Sequence, residues 1–177
     1  MKSLFNCALG AVLTLAGAGS AFAHATLEVT EAPVNSSYKA ILRVPHGCDG
    51  STTLKVRVQI PEGIIGVKPM PKADWKLETV KGKYAKTYKL YGSDVSEGVK
   101  EITWTGSLPD EYYDEFVFRG YLADGLTPGT MLYIPTIQEC EKGVDRWIEI
   151  PVEGKSHDDY EYPAPGLKLL PAKPAED

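Results

Sequence analysis

Histidine and cysteine are scarce in this chain, three of each in 177 residues. That excludes tandem zinc fingers and multi-histidine metal cages. Basic residues are also in deficit, 19 Lys and Arg against 24 Asp and Glu, for a net charge of −5. The basic face that phosphate contacts require is missing, so nucleic acid is not an expected partner. GxSxG, HExxH and P-loop patterns do not occur, and with them go the common hydrolase, zinc-protease and nucleotide-binding chemistries. What is present, 43% hydrophobic and 24% charged residues, suits one globular domain rather than a disordered or collagen-like chain.

The first apolar run belongs to a leader. Lys2 gives a positive start, apolar residues follow from Leu4 to about Ala16, and Ala21-Phe22-Ala23 forms an A-x-A cleavage site. Residues 1–23 therefore read as a secretory signal peptide, whose run is too short to span a bilayer. Cys7 leaves with it. The expected product runs from His24 to Asp177, and losing Lys2 takes its charge from −5 to −6. No later stretch is apolar enough to cross a membrane, so the expectation is a periplasmic protein without a membrane anchor. Cys48 and Cys140 then share an oxidising compartment, and one disulfide is the expected outcome. Closing so long a loop stabilises by about 4 to 5 kcal/mol in chain-entropy models. The rival, a thiolate copper or zinc site, has neither CxxC spacing nor paired histidines to support it.

Period-2 patterning dominates from His24 onward. Leu54, Val56, Val58 and Ile60 alternate with polar residues, which predicts a half-buried strand with these four on one face. Further strands are expected over 26–30, 39–44, 75–80, 84–90, 101–105, 115–121, 130–138 and 144–150. Pro and Gly punctuate nearly every gap, as in Ile60-Pro61-Glu62-Gly63 and Thr127-Pro128-Gly129. Such spacing predicts an all-β antiparallel sandwich over 24–153. Residues 154–177 are Pro-rich and read as an extended surface tail.

His24 carries the strongest chemical signal. As a free N-terminus it offers an α-amine and an imidazole Nδ1 to one metal, closing a chelate ring. With amine and imidazole pKa values near about 8 and 6.5, metal competes readily with protons at neutral pH. Two nitrogens with a carboxylate or water suit Cu(II), which also tops the divalent affinity order. Glu28 shares a strand face with His24 if the strand is regular, and Glu31 precedes a bend at Ala32-Pro33; either acid could complete the site. His46 is a possible second imidazole, although a turn-rich loop beside Cys48 reads first as surface. His157, beside Asp158 and Asp159, reads as solvated. Met70 could offer a thioether, yet its setting between Pro69 and Pro71 suggests packing. Trp75, Trp104 and Trp147 read as core aromatics, and Trp147, close in sequence to Cys140, could cover a metal site. The acidic run from Asp110 to Glu115 lacks EF-hand spacing and reads as a solvated loop.

Several stretches together resemble the YcnI-like copper-binding domain family of exported bacterial proteins. They are His24-Ala25-Thr26-Leu27-Glu28, Arg43-Val44-Pro45-His46-Gly47-Cys48, Val58-Gln59-Ile60-Pro61-Glu62-Gly63, Lys68-Pro69-Met70-Pro71, Trp75, Glu115-Phe116-Val117-Phe118-Arg119-Gly120, Ile137-Gln138-Glu139-Cys140-Glu141 and Arg146-Trp147-Ile148-Glu149-Ile150-Pro151. The resemblance implies an immunoglobulin-like sandwich binding Cu(II) through a single-histidine brace. Carried over, His24 supplies two nitrogens, Glu31 (with Glu28 as the alternative) supplies oxygen, and Trp147 lies near the metal. The expected function is Cu(II) binding in copper homeostasis, trafficking or delivery, without turnover. Expected partners are the ion itself and another periplasmic copper chaperone or a membrane copper transporter. The alternatives are a copper-dependent oxidoreductase, which needs a second imidazole such as His46, and a metal-free adhesion-like sandwich.

Overall fold

A computed structural model describes residues 24–174; the expected leader over 1–23 lies outside the described residues. Twelve strands account for nearly all its regular structure, with one 3-10 turn at His157–Asp159. Among the described residues no helix is long and apolar enough to cross a membrane.

The first sheet comprises β1 (Thr26–Leu27), β3 (Ser36–Val44), β8 (Asp114–Leu122) and β5 (Ile64–Pro69), in the order β1-β3-β8-β5. The second runs β11-β10-β4-β7-β6, where β4 is Thr53–Gln59, β6 Lys76–Leu90, β7 Ser93–Leu108, β10 Thr136–Cys140 and β11 Val144–Trp147. All pairings in both are antiparallel. Between them lies one core, to which Leu42, Phe116 and Phe118 come from the first sheet and Val56, Val58, Ile102 and Trp104 from the second. Trp104 meets Phe116 at 5.5 Å between ring centroids, so the two sheets pack face to face. Burying such aromatics on both inner faces is what holds a sandwich together.

The long β6–β7 hairpin replaces what the sequence divides into separate strands. Its turn places Tyr91 and Gly92 at φ 50° and 82°, the paired left-handed conformation that suits the twist of a tight hairpin. Register shifts after Val80 and after Lys83 let β6 continue through Gly82 instead of ending there. In β4 the expected face is corrected at one position. Val56, Val58 and Ile60 are buried, but Leu54 is 37% exposed and Thr53 is buried in its place. A bulge between Thr53 and Lys55 shifts the pleat and exchanges the two side chains.

The expected surface tail also needs correction. Gly166–Leu170 forms β12, paired in parallel with β2 (Glu31–Pro33) and antiparallel with β9 (Met131–Tyr133). Leu167 and Leu169 are buried in the same core as Leu42 and Trp104, while Lys168 points outward. Alternation is present in Leu167-Lys168-Leu169, yet the flanking prolines obscure it in sequence. The sandwich therefore extends well beyond residue 153.

Candidate metal centre

The centre begins with a pinned chain start. Ala25 is fully buried, and β1 pairs Thr26 with Arg43 and Leu27 with Leu42, so His24 emerges from the sheet at a fixed place. Its imidazole meets the Trp147 ring edge-on, with centroids 6.0 Å apart. Trp147 is buried at the end of β11, and its Nε1–H donates to Oε1 of Gln138 at 3.1 Å. Gln138, buried in β10, donates through Nε2 to the His46 carbonyl at 2.6 Å and to Thr53 Oγ1 at 2.7 Å. One amide thus joins the Trp to β4 and to the loop carrying His46. Full satisfaction of that amide is what makes its burial tolerable.

The same loop holds the disulfide. Cys48 and Cys140 are bonded, with Cα atoms 5.9 Å apart. Cys48 and Ser51 exchange backbone bonds of 3.1 and 2.9 Å across Asp49-Gly50, whose φ values of 47° and 77° fit a two-residue hairpin turn. At Gly47 a Cβ would fall 1.8 Å from the Ser51 carbonyl oxygen, so only glycine fits. The thiolate-site rival is thereby removed, because both sulfurs are consumed.

The second wall comes from the segment after β11. Glu149 and Tyr162 close its base: Glu149 N–H donates to the Tyr162 carbonyl at 3.1 Å, and Glu149 Oε2 accepts from Tyr162 N–H at 2.7 Å. Tyr162 also packs on Trp147, centroids 5.3 Å apart. Within the loop, Val152 N–H reaches the Tyr160 hydroxyl at 3.1 Å, and Asp159 Oδ2 accepts from Ser156 N–H at 2.6 Å and Oγ at 3.0 Å. Closed ends and internal bonds make this a compact Ω-type loop. Its 3-10 turn sets the His157 ring 5.0 Å from that of His24.

His24, His157 and Asp158 each offer a ligand atom, all within 4.8 Å of one another, the one such group of His, Cys, Asp and Glu found among the described residues. Burial and the neighbouring His24 hold the His157 imidazole below its ordinary pKa, against the opposing pull of Asp158. A neutral imidazole is the form that binds metal. Two imidazoles with a carboxylate also match the ligand preference of Cu(II).

Of the residues expected at the site, His24 and Trp147 come together, whereas the two acids do not join the group. Glu28 pairs with Arg43 at 3.1 Å, and Glu31 pairs with Lys168 of β12 at 3.2 Å. His46 turns its Nδ1 to the Gly47 carbonyl at 2.5 Å. Burial raises the pKa of the nearby Asp145 carboxyl, an effect that His46 opposes and that Asp49 and Glu161 reinforce. Met70 lines a separate depression with Lys72, Tyr113 and Asp114. In the acidic run, Asp110 accepts from Gly47 N–H at 2.9 Å and Asp114 from Lys72 Nζ at 2.6 Å, so these carboxylates brace the fold. His157, Asp158 and Gln138 are the residues sequence reasoning misses. A His-Asp-Asp run does signal donors, but only the closed loop shows which surface they meet.

Residues 24–169 match the sequence profile of the family described as Domain of unknown function (DUF1775). The chain belongs to that family. These are the YcnI-like domains whose motifs run along the sequence, and the matched span takes in the Ω-type loop and all but the last residue of β12. Comparison with curated proteins finds no match. Among solved structures, an uncharacterized protein from Nocardia farcinica with an immunoglobulin-like fold aligns with a TM-score of 0.58. Identity is 20%, over 83% of this chain and 98% of that one, which establishes the DUF1775 fold here as immunoglobulin-like.

Proposed function

We propose that this DUF1775 protein is an exported, periplasmic Cu(II)-binding protein that takes up copper at His24 once the leader is removed. Its role is copper homeostasis, with the ion received from or passed to another periplasmic copper chaperone or a membrane copper transporter. One observation carries the reading: the imidazole of His24 is held against a buried Trp147 at the place where a processed chain would also present its α-amine. An amine and an imidazole on one residue chelate without any folding cost, and the adjacent indole limits water access and offers a face to a cation. Indole nitrogen is a donor, engaged here with Gln138, so Trp147 covers the site and does not ligate. The reading includes no turnover. The oxidoreductase alternative needs a second imidazole: His46, the expected candidate, turns to Gly47, and the imidazole that stands beside His24 is that of His157.

The test is the state of the end. Mature protein beginning at His24 should bind Cu(II) orders of magnitude more tightly than protein with one residue added before it, which converts the amine to an amide. Metal-free thermal unfolding should be the same for both. Equal affinities would sink the chelate, no tight binding by either would favour the adhesion-like alternative, and copper-dependent oxygen consumption with a reductant would favour the oxidoreductase.

A further inference from the structure

The geometry points to the loop between Glu149 and Tyr162 as a metal-binding arm: His157 supplies a second imidazole, and Asp158 a carboxylate, to the ion held at His24. This inference rests on copper binding at His24 and adds ligands from a loop late in the sequence. Donors bound to one ion at about 2.0–2.1 Å each lie no more than about 4.2 Å apart. The three side chains already hold their donors within 4.8 Å, so closure requires a contraction of well under the reach of a rotamer change. The arm is also built to hold them there. Glu149 and Tyr162 fix its base at 2.7 and 3.1 Å, Asp159 ties the turn to Ser156, and Tyr160 ties it to Val152. The acids Glu28 and Glu31 are engaged elsewhere, with Arg43 and Lys168, which leaves Asp158 as the carboxylate beside His24. The result is a site assembled from segments far apart in sequence, the start of β1 and the loop before β12. Bound copper would link these segments, so metal occupancy would also order the arm.

The experiment uses mature protein with its native His24 terminus and Cu(II) as the probe. Wild type, His157→Asn, Asp158→Asn, Glu28→Gln and Glu31→Gln are compared by competition affinity, paramagnetic resonance and hydrogen exchange over residues 152–160. His157→Asn should weaken binding at least tenfold, the low end of what losing even an outer partner of a metal costs, and should remove one nitrogen from the spectrum. Asp158→Asn should shift the spectrum while the two Glu variants leave it unchanged. Copper should slow exchange over 152–160 in wild type and not in His157→Asn. A spectrum and affinity indifferent to His157 and Asp158 would overturn the arm, even with the chelate at His24 intact. In protein with a residue added before His24, any remaining copper binding should depend on His157, so the amine and the arm fail or survive separately. Absence of copper binding by the mature protein would overturn both.

Discussion

Replacing Gln138 by Leu tests whether one amide holds the Trp147 wall in place. The side chain is fully buried and makes three hydrogen bonds, from Trp147 Nε1 at 3.1 Å, to Thr53 Oγ1 at 2.7 Å and to the His46 carbonyl at 2.6 Å. Leucine fills similar space but takes the amide from all three partners, leaving Thr53 Oγ1 only its weak contact with Cys140 Sγ at 3.7 Å. An abandoned buried donor or acceptor costs about 1–3 kcal/mol. Trp147 N–H and the Thr53 hydroxyl are buried enough to lose that amount each, and the less enclosed His46 carbonyl adds less. The first two sum to about 2–6 kcal/mol, with a small addition from the carbonyl, of a total that is about 5–15 for a typical domain. With about 2–4 °C per kcal/mol at this size, the unfolding temperature should fall by about 4 to 24 °C. Calorimetry of metal-free, disulfide-intact protein reads this directly. Trp147→Phe removes the same indole donor, so combining it with Gln138→Leu should cost less than the two losses added. A drop of under about 1 kcal/mol, or strict additivity of the pair, would refute the view that Gln138 is the polar hub of this end.

Cys48→Ser should lower stability by about 4 to 5 kcal/mol on the chain-entropy argument for the long loop it closes, and mass spectrometry should find no alkylatable thiol in wild-type protein beginning at His24. Leu169→Ala should cost about 2–5 kcal/mol in chemical denaturation, because β12 lies in the core and not on the surface. At Glu62, burial works to raise the carboxyl pKa, but bonds from Lys100, Tyr88 and the Ala85 N–H outweigh it and hold the pKa below the ordinary value. Wild type should therefore keep its full advantage over Glu62→Gln above about pH 4.3 and lose it as pH falls through the depressed folded value. An advantage that instead grew towards acid pH would reverse that assignment.

The sandwich is legible in the sequence where a strand buries one face for several residues without interruption. Val56, Val58 and Ile60 are such a run, and their burial follows from the alternation alone. Leu54 escapes because a bulge is a pairing event with β7, invisible in the strand's own residues. β5 (Ile64–Pro69) goes unread because Gly66, at φ 59°, breaks the pattern inside it. β12 is short, and the prolines that flank it look like those of a solvated tail. At the site, His24 and Trp147 carry their chemistry in their type and setting. His157 does not, since its closeness to His24 depends on a loop closed by Glu149 and Tyr162, bonds that local patterning cannot anticipate. Gln138 is hidden for the same reason: its polar partners come from three separate segments.

β6 is the outermost strand of its sheet, and its free side has a consequence for how molecules of this protein behave together. A long unpaired strand edge is a template onto which a second chain can add, the first step towards fibrils. Here that edge carries Lys76, Lys81, Lys83, Lys86 and Lys89, two register shifts interrupt its line, and the Ala85 N–H is already taken by Glu62. Lys76 and Lys89 are paired with Glu78 and Asp94. Two such edges brought side by side would still set Lys81, Lys83 and Lys86 against their copies along a kinked seam, so the hairpin that widens the sandwich also discourages its own polymerisation.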